Sequence, residues 1–224
     1  MTSRMELPWE GEQAGPVAAR IAARAAQRIA EGALPPGEVL TEAILAEGAS
    51  ASRTPAREAM LQLEAWGLVR LMPKKGALIT TVSPAERRDL LDVRTTWEIR
   101  SVQVINEQPE SRQTLVDALH AMITSQQAAL DEGDQLGFAS HDFAFHRRII
   151  EAGQNGVVNT LMDQLGPRFA RLTYMAIDGN LRAAAVFRDE HERLVEFIAA
   201  GDAAGFAAAV RAHVTAGHFP SSAW

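Results

Sequence analysis

Cysteine is absent from the 224 residues. That excludes disulfides, thiolate metal sites and a thiol nucleophile. No uninterrupted apolar run approaches the roughly 18 residues of a membrane-crossing helix. The start, Met1 to Glu10, has no apolar core and carries acids, so it does not read as a signal peptide. These absences point to a cytoplasmic protein without a membrane partner. Common enzyme signatures are missing too: there is no Gly-x-Ser-x-Gly elbow, no P-loop and no Gly-x-Gly-x-x-Gly. His191-Glu192 opens like a metalloprotease His-Glu-x-x-His, but position 195 is Val. No catalytic residue is assigned.

Charge is present but unevenly placed. The net charge is −6. Residues 1–80 hold 9 basic and 9 acidic side chains, so all of the net charge falls in residues 81–224, with 13 and 19. Within residues 53–76, Arg53, Arg57, Arg70, Lys74 and Lys75 face only Glu58 and Glu64, a local net of +3. Such a patch can hold phosphates while the acidic remainder limits non-specific adhesion. All six histidines lie beyond residue 119. Two chemically different halves predict two domains.

Residues 1–15 read as a flexible tail. From Pro16, the residues Val17, Ile21, Ala25 and Ile29 recur every four positions and predict one apolar helix face, with Arg20, Arg24 and Arg28 as a solvated basic row beside it. Gly32 and Leu34-Pro35-Pro36-Gly37 form a turn. Thr41 caps a short helix to Glu47, and Gly48–Ala51 is a turn. A third helix spans Arg53 to Trp66, closed by Gly67. Residues 68–72 and 77–82 are two β-prone runs joined by Pro73-Lys74-Lys75-Gly76. Three helices and a basic-tipped hairpin over residues 16–82 predict a winged helix-turn-helix. Ser83-Pro84-Ala85-Glu86 then opens a long helix to Asn106. Helical segments follow over about 110–131, 135–151, 155–175, 181–200 and 202–217, with Asp134, Asn155 and Asp202 as N-caps. Residues 83–218 thus predict an all-α bundle and 219–224 a short tail. The fold class is mainly α.

Arg53 and Arg57 are four apart on the first turns of the third helix, the end that enters a major groove. Each guanidinium can pair with guanine O6 and N7 or clamp a phosphate. Ser52 and Thr54 add hydroxyls suited to phosphate. Lys74 and Lys75 at the hairpin tip can grip flanking phosphates, and Gly76 permits close backbone approach. An isolated Arg-x-x-x-Arg pair is an ordinary solvated pair; its place in a helix-turn-helix favours DNA.

A second constellation is Asp142, His146, His191 and His213. Asp142 and His146 are four apart on one helix face, and the two later histidines lie on two further helices. Three nitrogens and one oxygen suit a divalent transition ion, zinc first, with nickel, manganese or iron fitting as well. A lone helical histidine is more often a boundary residue, and His120, His141 and His218 are assigned that bland role.

The run Gly32–Glu42, then Leu45-Ala46, Ser52–Met60, Leu63-Glu64, Gly67-Leu68-Val69 and Lys75-Gly76 closely resembles the GntR family of bacterial transcription regulators over residues 17–82. The departure is Gly48-Ala49-Ser50-Ala51, where that family usually carries larger residues. The resemblance implies a homodimer reading a palindromic double-stranded DNA operator, with Arg53, Thr54, Arg57, Lys75 and Gly76 at the DNA. Residues 84–218 resemble the FCD ligand-binding domain of the FadR subfamily, through Arg94, Glu98, Asp142–His146, Ala152–Asn155, His191, Leu194, Gly201-Asp202 and His213. This second resemblance implies a metal on the four residues above, facing a small carboxylate effector such as a sugar acid or other organic acid. Arg94 is then a candidate clamp for that carboxylate, or else simply pairs with Glu98. Tyr174 and Arg171 are weaker pocket candidates. The expected function is a ligand-responsive repressor of a catabolic operon. The alternatives are a metal-dependent enzyme on a small acid and a regulator sensing the metal itself.

Overall fold

The computed structural model describes residues 7–10 and 15–219. The chain divides into two compact units: residues 1–83 with 163–171, and residues 84–162 with 172–224.

The first unit opens with α1 (Val17–Ala30), which buries Ile21, Ala25 and Ile29 as the four-residue spacing requires. Val17, on the same predicted face, is 40% exposed at the helix start. Arg24 is exposed, as the solvated reading expects, and its guanidinium also donates to the Gly48 carbonyl at 3.0 Å, at the end of the next helix. A two-residue strand β1 (Val39–Leu40) precedes α2 (Glu42–Gly48), whose N-cap Thr41 accepts from the Ile44 amide. The third helix, α3 (Arg53–Ala65), turns Ala56, Ala59, Met60 and Leu63 inward. It ends in a left-handed Gly67, with the Gly67 and Leu68 amides bonding back to Glu64 and Leu63, which satisfies carbonyls that the helix leaves open.

Strands β2 (Val69–Met72) and β3 (Gly76–Ile79) form the expected antiparallel hairpin in the register Val69↔Ile79 to Met72↔Gly76. The sheet holds a third member that the sequence pattern does not reveal, because β1 pairs with β3 in the order β1-β3-β2. Two residues are too short to show an alternation. Leu7, expected in a flexible tail, is 3% exposed, and Trp9 packs against the core of this unit. The rest of the tail assignment, residues 1–6 and 11–14, lies outside the described residues, as do 220–224 of the C-terminal tail.

The second unit takes in α4 (Pro84–Asn106), α5 (Pro109–Glu132), α6 (Gln135–Ala152), α8 (Leu181–Ala200), α9 (Ala203–His218) and the two ends of α7 (Gly156–Ile177). Asp134, Asn155 and Asp202 cap α6, α7 and α9 through side-chain oxygens, as their positions predict. Helix α5 packs on α6 and α8, α4 on α6 and α9, and α8 on α9. Their shared core includes Phe145 and Ile149, Leu194 and Ile198, and Phe206 and Val210. Among the described residues this unit contains no strand, and no helix is long and apolar enough to cross a membrane.

Candidate metal centre and nucleic-acid interface

His146, His191 and His213 each sit three residues from a core member of their own helix: Ile149, Leu194 and Val210. That spacing turns each imidazole onto the buried face. All four predicted ligands are buried, and one donor atom from each lies within 4.8 Å of the others. The ring centroids of the histidines are 4.9, 5.0 and 5.2 Å apart, nearly an equilateral triangle. The Asp142 Oδ1 lies 3.5 Å from His191 Nε2 and 3.8 Å from His146 Nε2.

Each imidazole is oriented through Nδ1. Glu98 Oε2 receives His146 at 3.0 Å, Gln126 Oε1 receives His191 at 2.9 Å, and Glu190 Oε2 receives His213 at 2.7 Å. Gln126 is itself fixed because its amide nitrogen donates to the His141 carbonyl. An acceptor at Nδ1 places the proton there and the lone pair on Nε2. All three Nε2 atoms are buried without a hydrogen-bond partner. Thr173 donates to the outer oxygen of Asp142 at 2.8 Å, leaving Oδ1 for the common point. Burial pushes His146 and His191 well below the usual imidazole range, helped by Arg94 for His146 and by His146 and His213 for His191. Neutral imidazoles and a carboxylate oxygen are the donor set that a divalent ion needs.

Arg94 makes the pairing with Glu98 that was one of the two readings offered for it. It is 2% exposed, and its Nε stands 3.2 Å from Glu98 Oε1. Its NH1 lies 3.9 Å from Asp142 Oδ2, and its NH2 is buried without a partner. Burial raises Glu98 to about 7, against the pull of Arg94 and His213. The remaining candidates separate. The exposed His120 lies 3.6 Å from Glu192, and His141 is half-buried. His218 is a correction: it is 3% exposed, stacked on Phe187, with Nδ1 unpartnered. Arg171 is buried, and its guanidinium donates to the Thr80 carbonyl at 2.9 Å within the first unit. Tyr174 is half-buried. The sequence offers Glu98 as a partner of Arg94 and as part of the FCD resemblance, not as the acceptor that orients His146. The orienting roles of Gln126, Glu190 and Thr173 carry no spacing signal, since each reaches a different helix.

In the first unit, Arg53, Arg57, Lys74, Lys75 and Gly76 line one groove of about 640 Å³ between α3 and the hairpin. The four basic side chains are exposed. Thr54 is exposed on the first turn of α3 but does not line the groove. Gly76 has a structural reason of its own, because its φ is +98° and a Cβ there would collide with the Leu40 carbonyl oxygen.

Residues 17–79 match the model of the gntR family of bacterial regulatory proteins, and residues 89–216 match the FCD domain. The chain belongs to the GntR family. It is similar to a helix-turn-helix-type transcriptional regulator from the TAR-I ttuE-ttuC' intergenic region of Agrobacterium vitis, at 35% identity over 52% of this chain and 68% of the relative. It is also similar to the gluconate operon transcriptional repressor of Bacillus subtilis, at 24% identity over 83% of this chain and 76% of that one. The solved structure of Escherichia coli McbR/YncC shares the fold, with a TM-score of 0.72 at 19% identity over 90% of this chain and 94% of the other. A GntR winged helix binds DNA and an FCD domain takes a small-molecule effector, so this GntR protein is a transcriptional regulator and not an enzyme. Asp142, His146, His191 and His213 all fall within the FCD match; His218 lies just beyond it.

Proposed function

We propose that this GntR protein is a homodimeric repressor of a catabolic operon. It reads a palindromic operator and releases it when a small organic or sugar acid binds at a metal in the helical unit. It acts in the cytoplasm. The observation that carries the sensor half is the trio of buried, unpartnered Nε2 atoms on imidazoles whose Nδ1 atoms are all held. Leaving three such groups unpaired is costly, and a cation answers all three at once. Asp142, His146, His191 and His213 hold the ion, zinc first. Held by these four donors, an ion would supply Lewis acidity and, in a shell of five or six ligands, a position for a carboxylate oxygen. Arg94 supports the effector reading over a pure metal sensor, because a buried guanidinium with a free NH2 suits a second carboxylate oxygen.

The DNA half uses Arg53, Thr54, Arg57, Lys75 and Gly76. Exposed cations on the first turns of α3 and on the hairpin tip face one groove, which supports major-groove reading by the helix with phosphate contacts from the wing. The repressor assignment is supported by the gluconate operon repressor among the relatives, and also by a probable D-xylose utilization operon repressor from Paenarthrobacter nicotinovorans. The test is elemental analysis of purified protein, then operator titration with and without candidate acids. About one transition ion per chain and acid-dependent release support the proposal. Absence of an ion after supplementation, or operator affinity indifferent to every acid that binds, overturns it.

A further inference from the structure

Among the described residues, eight buried side-chain nitrogen and oxygen atoms lack a hydrogen-bond partner, and seven belong to Arg94, Glu98, the three histidine ligands and His218, which the Phe187 ring links to His213. Three are the Nε2 atoms that a cation would take. Arg94 Nε and Glu98 Oε1 face each other at ion-pair distance. Two remain: Arg94 NH2 and His218 Nδ1. A simple carboxylate bridging the ion and Arg94 answers the first and leaves His218 unpaired.

His218 is the last residue of α9 and is held firmly. Its backbone carbonyl accepts from Arg87 at 3.2 Å. The ring of Phe187 contacts two histidines, edge-on to His213 at 5.5 Å and stacked on His218 at 5.7 Å. Gly217 makes room for that ring, because a Cβ at 217 would overlap Phe187. Burial and then the Arg94 charge hold His218 neutral, so both its proton and its lone pair serve hydrogen bonding rather than charge pairing.

Building on the acid-sensing reading above, we propose that His218 is a specificity-determining residue of the effector site, pairing with a second polar group of the acid and selecting hydroxy acids over their deoxy counterparts. A hydroxyl suits the position because it both donates and accepts, and so satisfies Nδ1 in either tautomer. A second carboxylate would need the Nδ1–H tautomer, and an apolar chain would leave the nitrogen unpaired. A site built to bond a hydroxyl rejects the analogue that lacks it, because its own buried polar group is then stranded.

The test uses full-length metal-loaded protein and three matched probe pairs: glycolate and acetate, lactate and propionate, gluconate and hexanoate. Calorimetric titration of the wild type should favour the hydroxy member of at least one pair by about tenfold. His218→Phe should abolish that preference, weakening the hydroxy acid and relieving the penalty on the deoxy acid, with the ion still bound, and His218→Gln should restore part of it. Arg94→Ala should weaken both members of a pair alike. Equal affinities within every pair in the wild type overturn the role of His218 while leaving acid sensing intact, and that measurement needs no variant. Loss of the ion in His218→Phe also overturns it, by making His218 part of the metal's support. Failure of every acid to bind metal-loaded wild type defeats the acid-sensing reading itself, and this inference with it.

Discussion

A neutral imidazole has one N–H and one lone pair, and the neighbour of one nitrogen decides what the other can do. Glu98, Gln126 and Glu190 make that decision for His146, His191 and His213. Gln126→Ala should therefore lower metal affinity by about 10–100-fold without removing a ligand, read by competition with a chelator. His146→Ala should lose the ion outright, whereas His141→Ala should keep it; equal loss in both would sink the four-residue assignment. The pKa shifts set an acid limit. His146, His191 and His218 lie well below 6.5 in the fold, so below that pH the unfolded chain binds more protons. Their contribution is present above about 6.5 and is lost as pH falls toward the folded values. Glu98 runs oppositely: raised from 4.5 to about 7, it stabilises most below 4.5 and loses that contribution as pH rises through 7. Three groups outweigh one, so metal-free protein should lose thermal stability on acidification from about pH 6.5 to about pH 5. A flat or rising unfolding temperature over that range would contradict the neutral, buried histidines.

At the scale of elements, legibility followed period and punctuation. The helices declared themselves because caps such as Asp134, Asn155 and Asp202 and stops such as Gly67 act within four residues of their own positions. The pair Asp142 and His146 was visible because one helix face repeats at four. Strand β1 is not visible, since its two residues show no alternation and find their strand partners, Ala77 and Leu78, far along the chain. His218 reads as a boundary residue because no local spacing announces its burial or the Phe187 ring that stacks on it from another helix. Glu190, one residue before a ligand on α8, reaches across to His213 on α9, and no local spacing announces that. Gly76 shows the cost of a local reading. The sequence offers it as a place for close approach to DNA, yet the Leu40 carbonyl and a φ of +98° already require glycine. Gly76→Ala should destabilise the hairpin by more than about 1 kcal/mol in urea unfolding. An unchanged midpoint would mean that the β1–β3 pairing yields without cost.

Across the whole molecule, charge is divided by task. The chain carries −6 overall, yet residues 53–76 carry a net +3 and line a single groove with four exposed cations. Operator binding should therefore weaken steeply with salt, as phosphates release their counterions. Arg53→Ala or Arg57→Ala should cost about 1–3 kcal/mol on the specific site if the contact is to a base. Lys75→Ala should weaken all sequences alike and reduce the salt slope by about one. The last expectation couples this surface to the helical unit through thermodynamics alone. An acid changes operator affinity only by its unequal affinity for DNA-competent and DNA-released states, typically about 1–3 kcal/mol, and DNA must weaken the acid by the same factor. In the acid-sensing proposal Arg94 would carry that link: it stands beside Asp142 with NH2 unpartnered and does not belong to the four proposed metal ligands. Arg94→Ala should keep the ion and bind the operator like the wild type, yet keep its DNA at acid concentrations that release the wild type. Fluorescence anisotropy of labelled operator, titrated with acid at fixed metal loading, reads this directly. If the variant still releases DNA at wild-type acid concentrations, the acid is held without the guanidinium, and the metal alone must do the sensing.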